Sequence, residues 1–556
     1  MADHPHDTPH VSDDQLHLGD RVDTLKTGLL VAAGGGLLLA LLSSFAFGGL
    51  RRFFLAYLLA YCVALSLMVG GLLFVLLQHA TKAGWSVVVR RIPEAMGATV
   101  LPLVVMALPI LATTFLPGET VVAEGAATAD EPEDLFASLP TLYPWATPYV
   151  DKYADDESSV KDSVEDDLEN DGRPDTNVVP VEGDDEATVA GAEHDDEHHA
   201  DDHVDDHGDE TVAGVLGATD GHGDDHAGGG HDDHPPAEAY TVLSQMATNK
   251  AVYQHLQHDY VTHGKVAYLN APFFAGRVLI CLGVLAVVGG WYFRTSTDND
   301  RHPDPESAAS MRKYSYVAIL AVWMSMTVLS WDLVMTLDPH WYSTMFAVYF
   351  FAGAAASVFA VLAVALPTLQ SHGFLTKSVT IEHHHDVGKF LFAFVFFWGY
   401  ISFSQYMLIW YGALAEESTW FARRGASIVS ENLQIVGTDG SPAYAAGFWT
   451  IVSAALLAGH FFIPFLGLLS RHVKRRPKLL AFWGVWVLIF HWLDYYWLIT
   501  PEMPGGLWTK LPVPEVLATV GVLGVYAYFV VSKVADHALV PVKDPRLPES
   551  LAFHNI

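Results

Sequence analysis

Residues 53–78 read FFLAYLLAYCVALSLMVGGLLFVLLQ, a run without a single charged side chain. About 20 apolar residues are enough to cross the hydrocarbon core of a bilayer as a helix. The same criterion finds nine further runs, so the sequence predicts ten transmembrane helices, at 27–48, 53–78, 96–117, 273–293, 314–337, 342–367, 389–413, 446–470, 478–500 and 514–532. We therefore expect an all-α integral membrane protein.

The composition agrees with a membrane protein, since 51% of the 556 residues are hydrophobic and 15 are Trp. Four Trp residues near predicted helix ends are expected to lie at the membrane–water interface; they are Trp291, Trp341, Trp420 and Trp508. The two cysteines, Cys62 and Cys281, both fall inside predicted helices. Their positions, far apart and inside helices, exclude a disulfide framework, a c-type haem attachment motif and a Cys-held iron–sulfur cluster.

Most of the net charge of −33 lies in one segment, because residues 151–240 contain 31 Asp and Glu but only three basic residues. Such dense like charge with few apolar side chains predicts disorder. The histidines of this segment stand beside carboxylates and are candidates for weak Zn or Cu binding. A solvated anionic brush is the simpler interpretation, because nothing in the pattern enforces a ligand geometry.

Basic residues in the short loops predict the orientation, because cytoplasmic loops are enriched in Lys and Arg. With the N-terminus inside, the inner loops hold 19 Lys and Arg and the outer short loops hold 5. Both termini are therefore expected in the cytoplasm and the acidic insertion outside. The expected order is a tail at 1–26, helices one to three at 27–117, the insertion with a helical approach to helix four at 118–272, helices four to ten at 273–532, and a tail at 533–556.

Ionisable side chains inside the predicted helices mark candidate sites, because they are costly in a bilayer and usually face the bundle interior. Helical spacing puts Tyr314, Ser325 and Asp332 on one face of helix five. His491 and Asp494 lie three residues apart in helix nine. These groups indicate an outer proton half-channel, although interhelical hydrogen bonds that fix packing are the alternative.

The candidate proton pathway also extends to other helices. On the cytoplasmic side Lys389, Glu94 and the run EHHHD at 382–386 are expected to form an entry funnel. The complete set is Asp332, Asp494, His491, His460, Tyr314, Ser325, Gln405, Tyr400, Glu416, Lys389 and Glu94. Asp332 and His340 are candidate quinone ligands, and an axial pair of His460 and His491 for a b-type haem stays open. No metal site is predicted.

Five stretches carry a resemblance to a known family. They are SWDLVMTLDPHWYSTMF at 330–346, YLNAPFFAGR at 268–277, FSQYMLIWYGALAEESTW at 403–420, PFLGLLSRHVKRRPKLL at 464–480 and LLQHATKAGWSVVVRRIPEAM at 76–96. With them the chain resembles the large membrane subunits of alternative complex III, a bacterial quinol:electron-acceptor oxidoreductase. These subunits belong to the polysulfide-reductase membrane-subunit (NrfD-like) family. The stretch WSVVVRRIPEAM resembles the ActF type of the two sister subunits.

The resemblance implies two four-helix bundles with one flanking helix at each end, in the bacterial cytoplasmic (inner) membrane. It implies no redox cofactor in this chain, with haem c and iron–sulfur clusters in partner subunits and menaquinol or ubiquinol as substrate of the complex. The implied partners are a sister NrfD-like quinol-binding subunit, a periplasmic multihaem cytochrome c, an iron–sulfur subunit and a mono-haem cytochrome c, within the lipid bilayer and without nucleic acid. The acidic, His-rich insertion departs from the family pattern, so what docks on the outer face stays open.

For this type of subunit the resemblance implies scaffolding and a transmembrane proton route. One alternative is that the chain itself oxidises quinol, with an Asp or His near the outer face as general base. A secondary transporter is a third reading, but the sequence lacks the internal repeat and the Gly/Pro-broken helix pairs of that class.

Overall fold

The computed structural model describes residues 14–19, 21–115, 142–143, 145, 264–412, 414–425, 444–502 and 511–554. Within these ranges the chain is helical and has no strand. Ten helices are long and apolar enough to span a membrane: α1 (Val22–Phe47), α2 (Gly49–Ala80), α3 (Arg91–Thr113), α4 (Ala271–Arg301), α5 (Glu306–Leu337), α6 (Phe346–Ser371), α7 (Ile381–Gly412), α8 (Gly447–Leu469), α9 (Pro477–Glu502) and α10 (Val513–Ala535). The predicted helical, multi-pass class is confirmed, whereas the acidic segment 151–240 lies outside the described residues.

Several helices extend beyond their apolar runs. The third begins at Arg91 rather than 96, the fifth at Glu306 rather than 314 and the seventh at Ile381 rather than 389, while the fourth continues to Arg301. A hydropathy criterion stops at the first charged side chains. The backbone hydrogen bonds of the helix continue past these residues, because charged side chains are compatible with helix near the membrane surface. The predicted helix ends were therefore wrong by up to two turns.

The buried helix α2 lies at the centre of the packing and contacts α3, α5, α6 and α10. Helices α2 to α5 pack among themselves, α6 to α9 pack among themselves, and α1 packs mainly against α10. Glycines allow the closest approaches, as is common between membrane helices. A Cβ at Gly70 of α2 would lie 2.3 Å from the carbonyl oxygen of Ala354 in α6, and one at Gly36 of α1 would lie 2.6 Å from the nitrogen of Gly521 in α10.

Two of the tryptophans predicted at the interface are covered by other residues of the chain. The rings of Trp341 and Trp420 are buried and stack on each other, with centroids 4.0 Å apart and planes 9° from parallel. The short helix Ala415–Arg423 brings Trp420 over the connection that carries Trp341. Trp291 is partly exposed, as expected, and Trp508 lies outside the described residues.

The two described terminal segments lie on the same side of the helices. The carboxylate of Asp14 accepts backbone hydrogen bonds from Thr376, Lys377 and Ser378 in the α6–α7 connection, at 3.0, 3.0 and 2.9 Å. The Leu539 N–H, beyond α10, donates to the Leu16 carbonyl at 2.9 Å. That this side faces the cytoplasm remains a prediction from the distribution of Lys and Arg.

We expect Asp14→Asn to loosen this terminal contact. Burial raises the pKa of Asp14, but the hydrogen bonds of Ser378, Lys377 and Thr376 outweigh it and leave the pKa lowered. Because the pKa is lowered in the folded state, the charged carboxylate stabilises the contact fully at pH values above the ordinary aspartate pKa. This stabilisation is lost as the pH falls through the lowered, folded-state pKa. At pH 7 the backbone amides of residues 376–378 should exchange about tenfold faster in the variant. This factor corresponds to a loss of about 1.4 kcal/mol in the free energy of local opening.

Hydrogen-exchange mass spectrometry of peptides covering 372–380 measures this effect. Asp23→Asn is the control, since Asp23 lies in α1 and its only side-chain ion pair in the described part of the chain is a 4.0 Å contact with Lys26. The difference between wild type and Asp14→Asn should shrink in acid. Equal exchange at pH 7 would show that the contact does not hold the segment.

Candidate functional site

The middle of α8 contains one π-helical turn, Leu457–Phe462. Such turns are rare and often lie at functional sites. The turn directs His460 into the protein interior, where its side chain is completely buried. Neither ring nitrogen of His460 has a hydrogen-bond partner among the described residues. Because buried polar atoms are nearly always paired, these two nitrogens need an explanation.

Polar side chains of five helices meet around His460. We call this set the central polar cluster; its members are Ser66 of α2, Tyr349 of α6, Trp398 of α7, His460 of α8, and His491 and Asp494 of α9. The ring centroid of His460 lies 4.0 Å from that of Trp398 and 6.2 Å from that of His491. The sequence-predicted residues His460, His491 and Asp494 are therefore brought together.

Hydrogen bonds position both members of the cluster that belong to α9. The Trp398 indole N–H donates to Oδ2 of Asp494 at 3.1 Å, and the Tyr349 hydroxyl donates to Oδ1. His491 Nε2 lies 2.9 Å from the Ser66 hydroxyl, while its Nδ1 has no partner in the described part of the chain. Trp398 thus contacts His460 with its ring and Asp494 with its N–H, so one side chain links the two ionisable groups.

The cluster is tightly packed. A crevice beside it, too narrow for a water molecule, is lined by Phe346, Tyr349, Phe350, Gly353, His491, Asp494, Tyr495 and Leu498. A Cβ at Gly353 would lie 2.9 Å from the His491 ring, so this glycine lets α6 approach α9. The Trp398 ring packs on His460, and the described residues leave only this narrow crevice beside the two histidines.

Asp332 is not joined to the central polar cluster, which corrects the predicted pathway. Its carboxylate accepts hydrogen bonds from Arg277 Nε at 2.9 Å, Arg277 Nη2 at 3.1 Å and the Tyr268 hydroxyl at 3.0 Å. Burial and the Asp332 charge raise the pKa of Tyr268 to about 12, which keeps this hydroxyl a donor. Helical spacing predicts which face of α5 carries Asp332, but it does not predict which helix packs against that face. In the structure that helix is α4, which contributes Arg277.

Other predicted members of the pathway are also placed differently. Tyr314 and Tyr400 are 52% and 57% exposed at the surface of the described part of the chain, although the Tyr314 ring makes an edge contact with Trp291 of α4. Ser325 is buried, and Gln405 is buried and accepts a hydrogen bond from Ser343 at 3.2 Å. Glu416 belongs to the short helix Ala415–Arg423, but its side chain is outside the described part of the structure.

Glu94 does not line an open funnel. One of its oxygens accepts from Arg90 at 2.7 Å, and the other accepts from Arg91 at 3.0 Å and Ser296 at 2.9 Å. Arg90 and Arg91 extend the network to Asp544 and Asp300, so we call these residues the α3 arginine cluster. Glu94 was predicted in a funnel because it lies near the cytoplasmic end of helix three, and position along the chain does not show that Arg90, Arg91 and Ser296 engage both of its oxygens.

The predicted funnel residues of α7 serve as packing contacts as well. Lys389 forms an ion pair with Asp386 at 2.5 Å. His383 and His384 are buried, with ring nitrogens 3.2 Å from the Ser550 carbonyl and 2.8 Å from the Gln370 side chain. The run EHHHD therefore anchors neighbouring segments of the protein, and it does not form an open entrance in this structure.

The second candidate quinone ligand also has an internal partner. The His340 backbone N–H donates to Asp338 Oδ1 at 3.1 Å, and its ring nitrogen lies 3.5 Å from the same oxygen. Burial raises the pKa of Asp338, but His340 and Arg423 outweigh it and hold the pKa well below its usual range. Asp332 and His340 therefore belong to separate ion-paired sites in this structure.

Four residues that shape these sites were missed in the sequence. Ser66, Tyr349 and Trp398 look like ordinary members of apolar helices, and Arg277 lies at the edge of a predicted helix. Ser66, Tyr349 and Trp398 each offer a single hydrogen-bonding atom on a small or aromatic side chain, which hydropathy does not register. Only Arg277 had an available signal, since a cation at bilayer depth calls for a carboxylate partner.

No protein-family model and no curated protein matches the chain. Among the described residues, no group of three or more His, Cys, Asp and Glu is arranged to hold a metal ion. The resemblance to a family therefore rests on the sequence motifs alone.

Proposed function

We propose that this chain is the ActF-type membrane subunit of alternative complex III, that it scaffolds the complex, and that it provides a transmembrane proton pathway through the central polar cluster. The observation that carries the proton role is His460, an unpaired buried imidazole on a π-turn, beside His491 and Asp494. Ionisable groups at this depth in a membrane helix bundle commonly form proton relays. Imidazole and carboxylate are the groups best suited to accept and release protons near neutral pH.

The packing of the helices supports the scaffold role. Helices α2 to α5 and α6 to α9 form two groups, joined by the contact of α2 with α6, while α1 and α10 pack together outside them. We propose that these groups are the two four-helix bundles of the family, with both termini in the cytoplasm. On this proposal the pathway consists of His460, His491 and Asp494, and Asp332 supports the fold.

On the same proposal the redox chemistry lies in the partner subunits. Haem c and iron–sulfur clusters belong to the cytochrome and iron–sulfur subunits, and menaquinol or ubiquinol is bound by the sister subunit in the bacterial inner membrane. A quinol-oxidising role for this chain has less support, because Asp332 and His340 are each engaged by internal partners.

Purification of the intact assembly through a tag on this chain tests the proposal. From native membranes in mild detergent, the tagged chain should co-purify with c-type haem absorption and with iron–sulfur signals in electron paramagnetic resonance. A chain that purifies alone, without either signal, would contradict the assignment. Photolabelling by a quinone analogue at residues 330–346 would favour the quinol-oxidising alternative instead.

A further inference from the structure

A basic segment connects α8 with α9. Five Lys and Arg residues fall within residues 471–478, and the structure divides them into two groups. Lys474 is buried and donates to the carbonyls of Leu468 and Leu469 at 2.8 and 3.2 Å, which closes the end of α8. Arg475 forms an ion pair with Glu382 of α7 at 2.5 Å. These two contacts fix the connection against the helices.

The remaining three cations have no neutralising partner among the described residues. Arg471, Arg476 and Lys478 are exposed, and none has an ion-pair partner within the described ranges of the chain. We call these three residues the basic edge. Because Lys474 and Arg475 hold the connection in place, the basic edge is presented on a fixed backbone.

Exposed apolar surface begins directly beside the basic edge. Lys478 lies on the same face of α9 as Phe482, Val485 and Ile489, which follow it by 4, 7 and 11 residues and are exposed. On α8 the exposed residues Leu466 and Leu469 lead up to the connection. A molecule bound here would therefore meet cations at one end and hydrocarbon surface along the rest.

The two helices below the basic edge are closely joined. A Cβ at Gly467 of α8 would lie 1.9 Å from the Trp483 ring of α9, and one at Gly459 would lie 2.0 Å from the Phe490 ring. The Trp486 indole N–H donates to the Gly459 carbonyl at 2.7 Å. The apolar surface below the basic edge is therefore rigid, which lowers the entropy cost of ordering a ligand on it.

We infer that the basic edge binds the headgroup of an anionic phospholipid that carries two phosphates, a diphosphatidylglycerol, with its acyl chains along α8 and α9. Two phosphodiesters supply two negative charges for three cations, and guanidinium groups bind phosphate oxygens in pairs. Basic pockets between membrane helices at one leaflet are a known binding mode for such lipids. This inference does not depend on the proposed function.

Native mass spectrometry of the purified full-length protein, with any subunits that remain bound, tests the inference. The probes are diphosphatidylglycerol, phosphatidylglycerol, phosphatidylethanolamine and inorganic phosphate. Wild type should retain diphosphatidylglycerol at least about tenfold better than phosphatidylglycerol. The triple variant Arg471→Gln/Arg476→Gln/Lys478→Gln should lose most of this preference, because each surface cation contributes to anionic lipid binding.

The matched control removes three exposed cations elsewhere on the same side of the protein, as Arg294→Gln/Arg301→Gln/Arg312→Gln in α4 and α5. This control should keep diphosphatidylglycerol binding within about twofold of wild type. Equal losses in both triple variants would mean that net charge alone attracts the lipid, which overturns a defined site. Displacement of the lipid by millimolar inorganic phosphate, or equal retention of phosphatidylglycerol, would overturn the two-phosphate assignment.

Discussion

Asp494→Asn should reduce transmembrane proton transfer by at least about a hundredfold while the helices stay packed, because general acid–base groups contribute factors of that size. The amide oxygen of Asn can still accept the Trp398 hydrogen bond of 3.1 Å, so the α7–α9 contact survives. The amide cannot take up a proton at neutral pH. The variant therefore separates a proton-carrying role of Asp494 from a structural one.

The measurement uses membrane vesicles that contain the assembled complex, with a pH-sensitive dye and quinol oxidation followed together. The ratio of protons to electrons should fall in Asp494→Asn, with unchanged cofactor content. Asp298→Asn is the control, since Asp298 is an exposed carboxylate near the end of α4. An unchanged ratio in Asp494→Asn would exclude the central polar cluster from the proton route.

Arg277→Ala should cost about 3–5 kcal/mol of unfolding free energy, because it leaves the buried Asp332 carboxylate without its cation. The side chain of Arg277 contributes two hydrogen bonds to Asp332, and its guanidinium carbon lies 3.6 Å from the Tyr268 ring centroid. The double variant Arg277→Met/Asp332→Leu should recover most of the loss, since replacing a whole buried ion pair by apolar groups is often nearly neutral.

Unfolding in mixed detergent micelles, together with the amount of protein in membranes, measures both variants. Arg312→Ala, which removes an exposed cation from α5, should change the free energy of unfolding by less than about 0.5 kcal/mol. Like Arg277→Ala, the variant Asp332→Asn should reduce the amount of assembled protein in membranes, because it removes the negative charge that pairs with Arg277. If Asp332→Asn assembles fully and loses only proton transfer, then Asp332 belongs to the pathway and the structural role given to the ion pair is wrong.

The class of the fold could be predicted because apolar runs such as 53–78 are long and nearly free of charge. The helix ends could not, since α7 continues through His383–Asp386, where charged and polar side chains are buried by contacts with distant segments such as Ser550. The α3 arginine cluster was not predicted from the sequence for the same reason. Its carboxylates come from three separate parts of the chain, and hydropathy carries no information on their pairing.

The candidate site was predictable only in part. His460, His491 and Asp494 were identified because ionisable side chains in apolar helices are rare, and the structure brings them together. Asp332 was assigned to the same set from helical spacing and from its place in an apolar helix, but neither specifies which neighbouring helix covers a residue. The π-turn at Leu457–Phe462 was not predicted, because an extra residue in a turn depends on packing against other helices, here through Gly459 and Trp486.

The α3 arginine cluster has a consequence for biosynthesis. Arg90 and Arg91 bind Asp544 and the Ala538 carbonyl, which follow them by 454 and 447 residues. During translation both arginines are therefore inserted beside the membrane long before these partners exist. The first helices reach this electrostatic balance only after residues 538–544 have been synthesised, so a chain terminated before them would lack two partners of these arginines.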